Sequence, residues 1–183
     1  MQPSCELRRI AVIGAGSAGR DLALRCVRAG FDVTLEDVMP SRLRSAQQTF
    51  ESEASCGALR LASTVEDAVR DADLAIDFVP DELESKLEIF SMFDRMAPPR
   101  TILCTPTTAL SIADLASCTY RPQLCFALRF PNTNTAELVY TSRSSHEALS
   151  AVEQWLIAIG LTIATVQDPA ELTQSTDEPD RHG

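Results

Sequence analysis

A glycine-rich segment set between two strand patterns constrains this chain more than any other feature. Residues 10–13 are an apolar run, and residues 14–19 read Gly-Ala-Gly-Ser-Ala-Gly. A helical pattern follows, and then a second strand pattern that ends in Asp37, 18 residues after Gly19. A lone GxGxxG spacing is weak evidence, but this full context is typical of a βαβ unit that binds a dinucleotide.

Each glycine of the loop has its own physical role in this interpretation. Gly14 permits a tight turn out of the strand, Gly16 lets the backbone approach a pyrophosphate, and Gly19 lets the helix pack closely on the strand. The N–H groups at the start of the helix then bind the pyrophosphate, since they lie at the positive end of the helix dipole. The alternative is a βαβ unit whose glycines serve only the turn. The loop residues assigned to the cofactor are Gly14, Ala15, Gly16, Ser17, Ala18 and Gly19.

Asp37 predicts which dinucleotide is bound. A carboxylate at this position accepts hydrogen bonds from both hydroxyls of the adenosine ribose. A 2′-phosphate would meet a like charge there, and two such charges 4 Å apart repel by about 4 kcal/mol at an intermediate dielectric constant. No arginine directly follows, since Val38 and Met39 come next. The sequence therefore predicts NAD rather than NADP.

Strand patterns alternate with helical patterns along the chain, which predicts an α/β fold: a doubly wound, mostly parallel sheet of the Rossmann type. We expect one domain over residues 1–168 and an acidic, disordered tail over residues 169–183. Two helix starts are predicted from capping boxes, Ser63 with Glu66 and Ser144 with Glu147. Trp155 is expected to pack on the side of its helix that faces the sheet.

Charge and composition exclude several classes of function. The net charge of −10 argues against a nucleic-acid partner, which would reward lysine and arginine. The six cysteines form no CxxC spacing and there are two histidines, so we expect no metal site. No apolar run is long enough for a membrane span, and the N-terminus lacks the apolar stretch of a signal peptide. We therefore expect a cytoplasmic protein with no membrane partner.

Several blocks of sequence, in this order and spacing, resemble the N-terminal domain of the 3-hydroxyacyl-CoA dehydrogenases. They are the loop with Asp37, residues 72–86, residues 102–116, residues 127–132 and residues 137–139. The resemblance spans roughly residues 8–168. It implies a Rossmann fold, NAD as cofactor, an oxidoreductase activity and a place in fatty acid metabolism.

The resemblance also implies roles for particular residues. Asp81 and Lys86, five apart as in the family, match the acid and lysine that close on the nicotinamide ribose, although the family acid is usually glutamate. Thr108 keeps a hydroxyl at the position of the family serine that touches the substrate oxygen and the nicotinamide. Two other roles stay open: Lys86 as a solvated helix lysine, and Thr108 as the cap of the following helix.

The chief departure from the family concerns proton transfer. Arg129 stands where the family has the histidine that takes the proton of the 3-hydroxyl, and Tyr140 stands where the family has the partner glutamate. A guanidinium has no lone pair to accept a proton, so Arg129 is not a general base. It can instead polarise a carbonyl or clamp a carboxylate, with water or Tyr140 relaying the proton.

Three functions follow from these residues. The chain is an NAD-dependent dehydrogenase with altered chemistry, in which Thr108, Arg129 and Tyr140 form the catalytic set. Alternatively it is a non-catalytic NAD(H)-binding regulatory module, or one half of a split dehydrogenase. The expected ligands are NAD(H) and a small acyl or hydroxy-acid substrate. Because the family's helical domain has no counterpart in these residues, we also expect an exposed apolar surface and a homodimer.

Overall fold

The computed structural model describes residues 6–51 and 56–174, and within them strands and helices alternate as the sequence predicts. The strands are β1 (Arg9–Ile13), β2 (Asp32–Glu36), β3 (Leu59–Ala62), β4 (Leu74–Asp77), β5 (Ile102–Pro106), β6 (Cys125–Asn132), β7 (Thr135–Tyr140) and β8 (Thr162–Gln167). The helices are α1 (Ser17–Arg28), α2 (Pro40–Glu51), α3 (Val65–Val69), α4 (Leu83–Met96), α5 (Ile112–Ala116), α6 (His146–Ala158) and α7 (Pro169–Gln174).

The strands form one sheet in the order β3-β2-β1-β4-β5-β6-β7-β8. Neighbours run parallel except β6 and β7, which form an antiparallel hairpin. The strand order reverses between β1 and β4, and in open α/β sheets ligands bind in the crevice beyond the strand ends at such a point. The doubly wound, mostly parallel Rossmann fold is thereby confirmed.

Helices cover both faces of the sheet because the strands are apolar on both sides. Helices α1, α2 and α6 pack on one face, where Trp155 is buried as expected. Helices α3, α4 and α5 pack on the other face, around Phe90 and Phe93. The carboxyl ends of the parallel strands are left accessible along one edge, and the candidate site lies there.

Two helices begin one residue later than the capping boxes predict. Thr64, not Ser63, caps α3 by accepting a hydrogen bond from the Asp67 backbone. Ser145, not Ser144, caps α6 in the same way. Each cap is one of two adjacent hydroxyl residues, so the side-chain chemistry was predicted correctly and its position was wrong by one.

The first residues of the predicted acidic tail are helical, since α7 covers Pro169–Gln174. Residues 175–183 lie outside the described part of the chain, so a domain boundary at residue 168 stays a prediction. Within residues 6–51 and 56–174, no helix is long and apolar enough to cross a membrane. In the same ranges no group of three histidine, cysteine or acidic side chains is arranged to hold a metal ion. The cytoplasmic location and the homodimer stay predictions.

Candidate functional site

The glycine loop has the geometry that its sequence predicts. Gly14 has a φ of +103°, in the region that glycine tolerates best, and its N–H donates to the carbonyl of Glu36 at 2.8 Å. A Cβ on Gly19 would overlap the carbonyl oxygen of Gly14, so only glycine lets α1 start this close to β1. A Cβ on Gly16 would meet no heavy atom within 4 Å. The loop therefore opens at Gly16 onto space that the protein does not fill.

The start of α1 is suited to an anion. Gly16 is the N-cap, so no side chain accepts from the first turn, and that turn carries no acidic residue. Ser17 and Ala18 supply backbone N–H groups at the positive end of a 12-residue helix. The open cradle at Gly16 and these donors fit the pyrophosphate of a dinucleotide.

Asp37 is held where the sequence places it. Its side chain is 4% exposed and accepts from the backbone N–H groups of Ala15 at 2.9 Å and Met39 at 2.8 Å. Arg42 adds a longer contact, 3.3 Å from its Nη1 to Oδ2. Burial raises the pKa of Asp37, but these donors outweigh it and the pKa is lowered, so the group is a carboxylate at neutral pH.

Sequence reasoning missed two features around Asp37. Arg42 reaches back from the first turn of α2, five residues beyond the carboxylate that it contacts. Glu36, the last residue of β2, is 3% exposed, and burial together with the charge of Asp37 raises its pKa to about 7. The adjacent acids at positions 36 and 37 are the signal that would have indicated the second feature.

Asp81 and Thr108 join two loops at the strand ends. Oδ2 of Asp81, in the loop before α4, accepts from both the backbone N–H and the hydroxyl of Thr108, each at 2.9 Å. Burial raises the pKa of Asp81, but hydrogen bonds from Thr107 and Thr108 outweigh it and the pKa is lowered. The structure assigns the cap of α5 to Ser111, so the alternative role of Thr108 as that cap is wrong.

Lys86 is not the solvated helix lysine of the alternative interpretation. Its side chain is 1% exposed, and Nζ lies 2.7 Å from Oδ1 of Asp77, which is also buried. Burial raises the pKa of Asp77 even though the ammonium of Lys86 acts against it. Oδ2 of Asp77 and the hydroxyl of Thr105 make no hydrogen bond of ordinary geometry among the described residues, although Thr105 lies near enough to Asp77 to lower its pKa. Lys86 and Asp77 thus form a buried ion pair beneath the site.

Arg129 and Tyr140 are not brought together. Arg129 in β6 lies directly opposite Glu137 in β7, with 3.7 Å between Nη1 and Oε2. Val139 pairs with Ala127 on that same face of the sheet, and neighbouring residues of a strand point to opposite faces. Tyr140 therefore packs on the other face, in the core beneath α1 and α6. The sequence pattern did not identify Glu137 as the partner of Arg129.

One cleft contains most of the remaining predicted residues. It measures about 290 Å³ and lies where β4, β5 and β6 end. A second cavity of about 370 Å³ lies beside α1, and Phe78 and Phe130 border both. The residues that line the cleft are Phe78, Val79, Asp81, Lys86, Pro106, Thr107, Thr108, Leu128, Arg129 and Phe130.

Comparison with known proteins identifies relatives of the domain as a whole. The family described as "3-hydroxyacyl-CoA dehydrogenase, NAD binding domain" matches residues 9–169. A probable 3-hydroxybutyryl-CoA dehydrogenase of Bacillus subtilis is 27% identical over 89% of this chain and 63% of its own length. A 5-formyl-3-hydroxy-2-methylpyridine 4-carboxylate 5-dehydrogenase of Mesorhizobium japonicum is 25% identical over 88% of this chain and 58% of its own.

A solved structure of a diketoreductase that acts on dicarbonyl compounds has the same fold. It superposes with a TM-score of 0.78 at 29% identity, over 87% of this chain and 64% of that one. The chain thus spans less than two thirds of the length of each of these three relatives.

Proposed function

The chain belongs to the 3-hydroxyacyl-CoA dehydrogenase family as its NAD-binding domain, and we propose that it binds NAD(H) without the family's proton-transfer chemistry. NAD, when bound, supplies a carbon that accepts or donates a hydride. The glycine loop and Asp37 hold the adenosine end of the cofactor, Asp81 and Lys86 close on the nicotinamide ribose, and Thr108 contacts the substrate. The reaction is an oxidation or reduction that does not depend on an imidazole base.

The observation that carries this proposal is the position of Arg129. Its guanidinium lines the cleft opposite Glu137, and a guanidinium has no lone pair with which to accept a proton. Tyr140 faces the other side of the sheet and cannot relay a proton to the cleft. Of the acids and bases that line the described cleft, Asp81 is hydrogen-bonded with a lowered pKa and Lys86 is paired with Asp77. Standard 3-hydroxyacyl-CoA oxidation is therefore expected to be slow or absent.

Two other functions remain as alternatives. The chain is a non-catalytic NAD(H)-binding regulatory module if the cofactor binds and no substrate is turned over. It is one half of a split dehydrogenase if a second chain completes the cleft. The relative named for a pyridine carboxylate indicates that substrates in this family are not confined to thioesters.

Calorimetric titration with NAD and NADH, followed by a turnover assay on the same sample, tests the proposal. The panel contains 3-hydroxyacyl-CoA thioesters and free hydroxy acids. We expect cofactor binding that Gly16→Val abolishes, since the new side chain enters the open cradle, where its Cβ meets no heavy atom within 4 Å. Ala164→Val, on the exposed β8, is the matched control and should bind normally. Failure of the native protein to bind either cofactor form would overturn the proposal.

The same titration includes NADP, which we expect to bind more weakly than NAD because Asp37 is a carboxylate. Asp37→Ala removes that charge and leaves Arg42, a cation next to the ribose position. The variant should therefore narrow the gap between the two cofactors. Equal binding of NAD and NADP by the native protein would show that Arg42 cancels the effect of the carboxylate.

A further inference from the structure

We propose that the cleft binds a small organic acid and that Arg129 holds its carboxylate. This inference names the substrate class for the function proposed above and rests on that function. It starts from the hydrogen bonding of the guanidinium, and it does not depend on any assumption about which residue moves the proton.

The N–H groups of Arg129 have hydrogen-bonding capacity that the protein does not use. Nε has no hydrogen-bond partner among the described residues although it is buried, and the 3.7 Å between Nη1 and Glu137 exceeds a hydrogen-bond length. The side chain as a whole is 27% exposed, so a ligand can reach it. Nε itself is out of a ligand's reach, but the exposed part of the side chain is not, and the long Nη1–Oε2 contact leaves hydrogen-bonding capacity there. The planar fork of a guanidinium matches the two oxygens of a carboxylate.

The other charges that line the cleft are already engaged. Asp81 accepts two hydrogen bonds from Thr108, and Lys86 is paired with Asp77 at 2.7 Å. Among the cations that line this described cleft, Arg129 is therefore the one whose N–H groups remain available to a ligand. The charge of Asp81 at the opposite loop repels an anion and directs its carboxylate toward Arg129.

Glu137 competes for the guanidinium but does not block it. The pair is partly exposed on both sides, and ion pairs of this kind and length are weak. Glu137 lies directly across the hairpin from Arg129, so its negative charge stays beside the guanidinium without a hydrogen bond of ordinary length. The charge of Glu137 therefore lowers the affinity of Arg129 for an anion.

The rest of the cleft indicates what the carboxylate is attached to. Its walls are mostly apolar, with Phe78, Val79, Leu128 and Phe130 around a volume of about 290 Å³. The hydroxyl of Thr108 donates to Asp81, so its lone pairs remain available to accept from a substrate hydroxyl. A small hydroxy acid with an apolar body fits these three features together.

The test compares 3-hydroxybutyrate with 3-hydroxybutyramide, which has the same size and no charge, by calorimetry on the protein saturated with NADH. We expect the acid to bind about 10- to 100-fold more tightly than the amide, as is typical of a hydrogen-bonded charged group. Arg129→Gln should remove the difference, and Arg143→Gln, an exposed arginine in the turn before α6, should not. Equal binding of acid and amide to the native protein would overturn the inference.

A second variant guards against loss of folding. Glu137→Gln removes the competing charge, so the acid should bind several-fold more tightly, a gain that misfolding cannot produce. Weaker binding of the acid by this variant would also overturn the inference. The NADH titration on each sample separates the two proposals. If the native protein binds NADH but not the acid, the proposed carboxylate site is wrong and the proposed function stands. If the native protein does not bind NADH, the proposed function itself is wrong.

Discussion

The two ends of the site differ in how the chain builds them. The adenosine end comes from one continuous stretch, residues 10–42, and Asp37 there accepts hydrogen bonds from both the glycine loop and α2. The end at which we propose that the nicotinamide lies is assembled from two loops and a hairpin, and it retains buried polar atoms without partners among the described residues. Local sequence determines the first end, whereas the second depends on how distant strands pair.

The largest expected effect lies at the nicotinamide end. Arg129→His places an imidazole opposite Glu137, which orients and charges it as a carboxylate does in other catalytic pairs. General-base catalysis typically speeds a reaction by about 10²–10⁴-fold. The rate of 3-hydroxyacyl-CoA turnover should therefore rise by up to that factor, and the rate should depend on pH near an imidazole pKa. Steady-state rates across pH measure this, and Arg143→His is the matched control.

The strand register also predicts what a second substitution does to the activity of this variant. Adding Tyr140→Glu to Arg129→His should bring no gain, because residue 140 faces the other side of the sheet and would bury a charge there. Adding Glu137→Gln should remove the gain. A double variant with Tyr140→Glu that outperforms the single variant would show that the hairpin pairs differently from the register seen in the structure.

The same two residues show where sequence reasoning stops. The glycine turn and Asp37 were predictable because each depends on neighbours within one βαβ unit, and the fold class was predictable because strand and helix patterns alternate along the whole chain. The partner of Arg129 was not, because matching Tyr140 to the family glutamate ignores which face of the strand each residue occupies. The register shift between Arg129 and Asn132 makes such spacing unreliable across this hairpin. Burial of Lys86 was equally hidden, since an amphipathic helix places lysine in solvent by default.

The next effect concerns the support beneath the nicotinamide end. Lys86 is the only lysine in the 183 residues, and Lys86→Met leaves Asp77 buried without its cation. Breaking a buried ion pair from one side costs about 3–5 kcal/mol, which urea denaturation should detect. Arg95→Met, exposed near the end of the same helix, is the control and should change little. Asp77→Asn added to Lys86→Met should restore part of the loss, and an unchanged stability in Lys86→Met would mean that water reaches this pair.

The smallest predicted effect concerns the pH dependence of stability that Glu36 causes at the adenosine end. Glu36 is buried beside the charge of Asp37, and its pKa rises from an ordinary value of 4.5 to about 7. The native state therefore binds a proton more tightly than the unfolded chain does. Its contribution to stability is full below about pH 4.5 and is lost as the pH rises through 7.

Urea denaturation between pH 5 and 8 should accordingly show a decline in stability of about 1–3 kcal/mol due to this group. Glu36→Gln keeps the shape of the side chain without the charge, so the decline should shrink in that variant. Glu66→Gln, an exposed acid in the first turn of α3, should leave it unchanged. Asp37 stays ionised throughout this range because its pKa is lowered, so NAD affinity should vary less with pH than stability does. Identical profiles of stability against pH for the native protein and Glu36→Gln would mean that Glu36 is solvated and that its pKa is not raised.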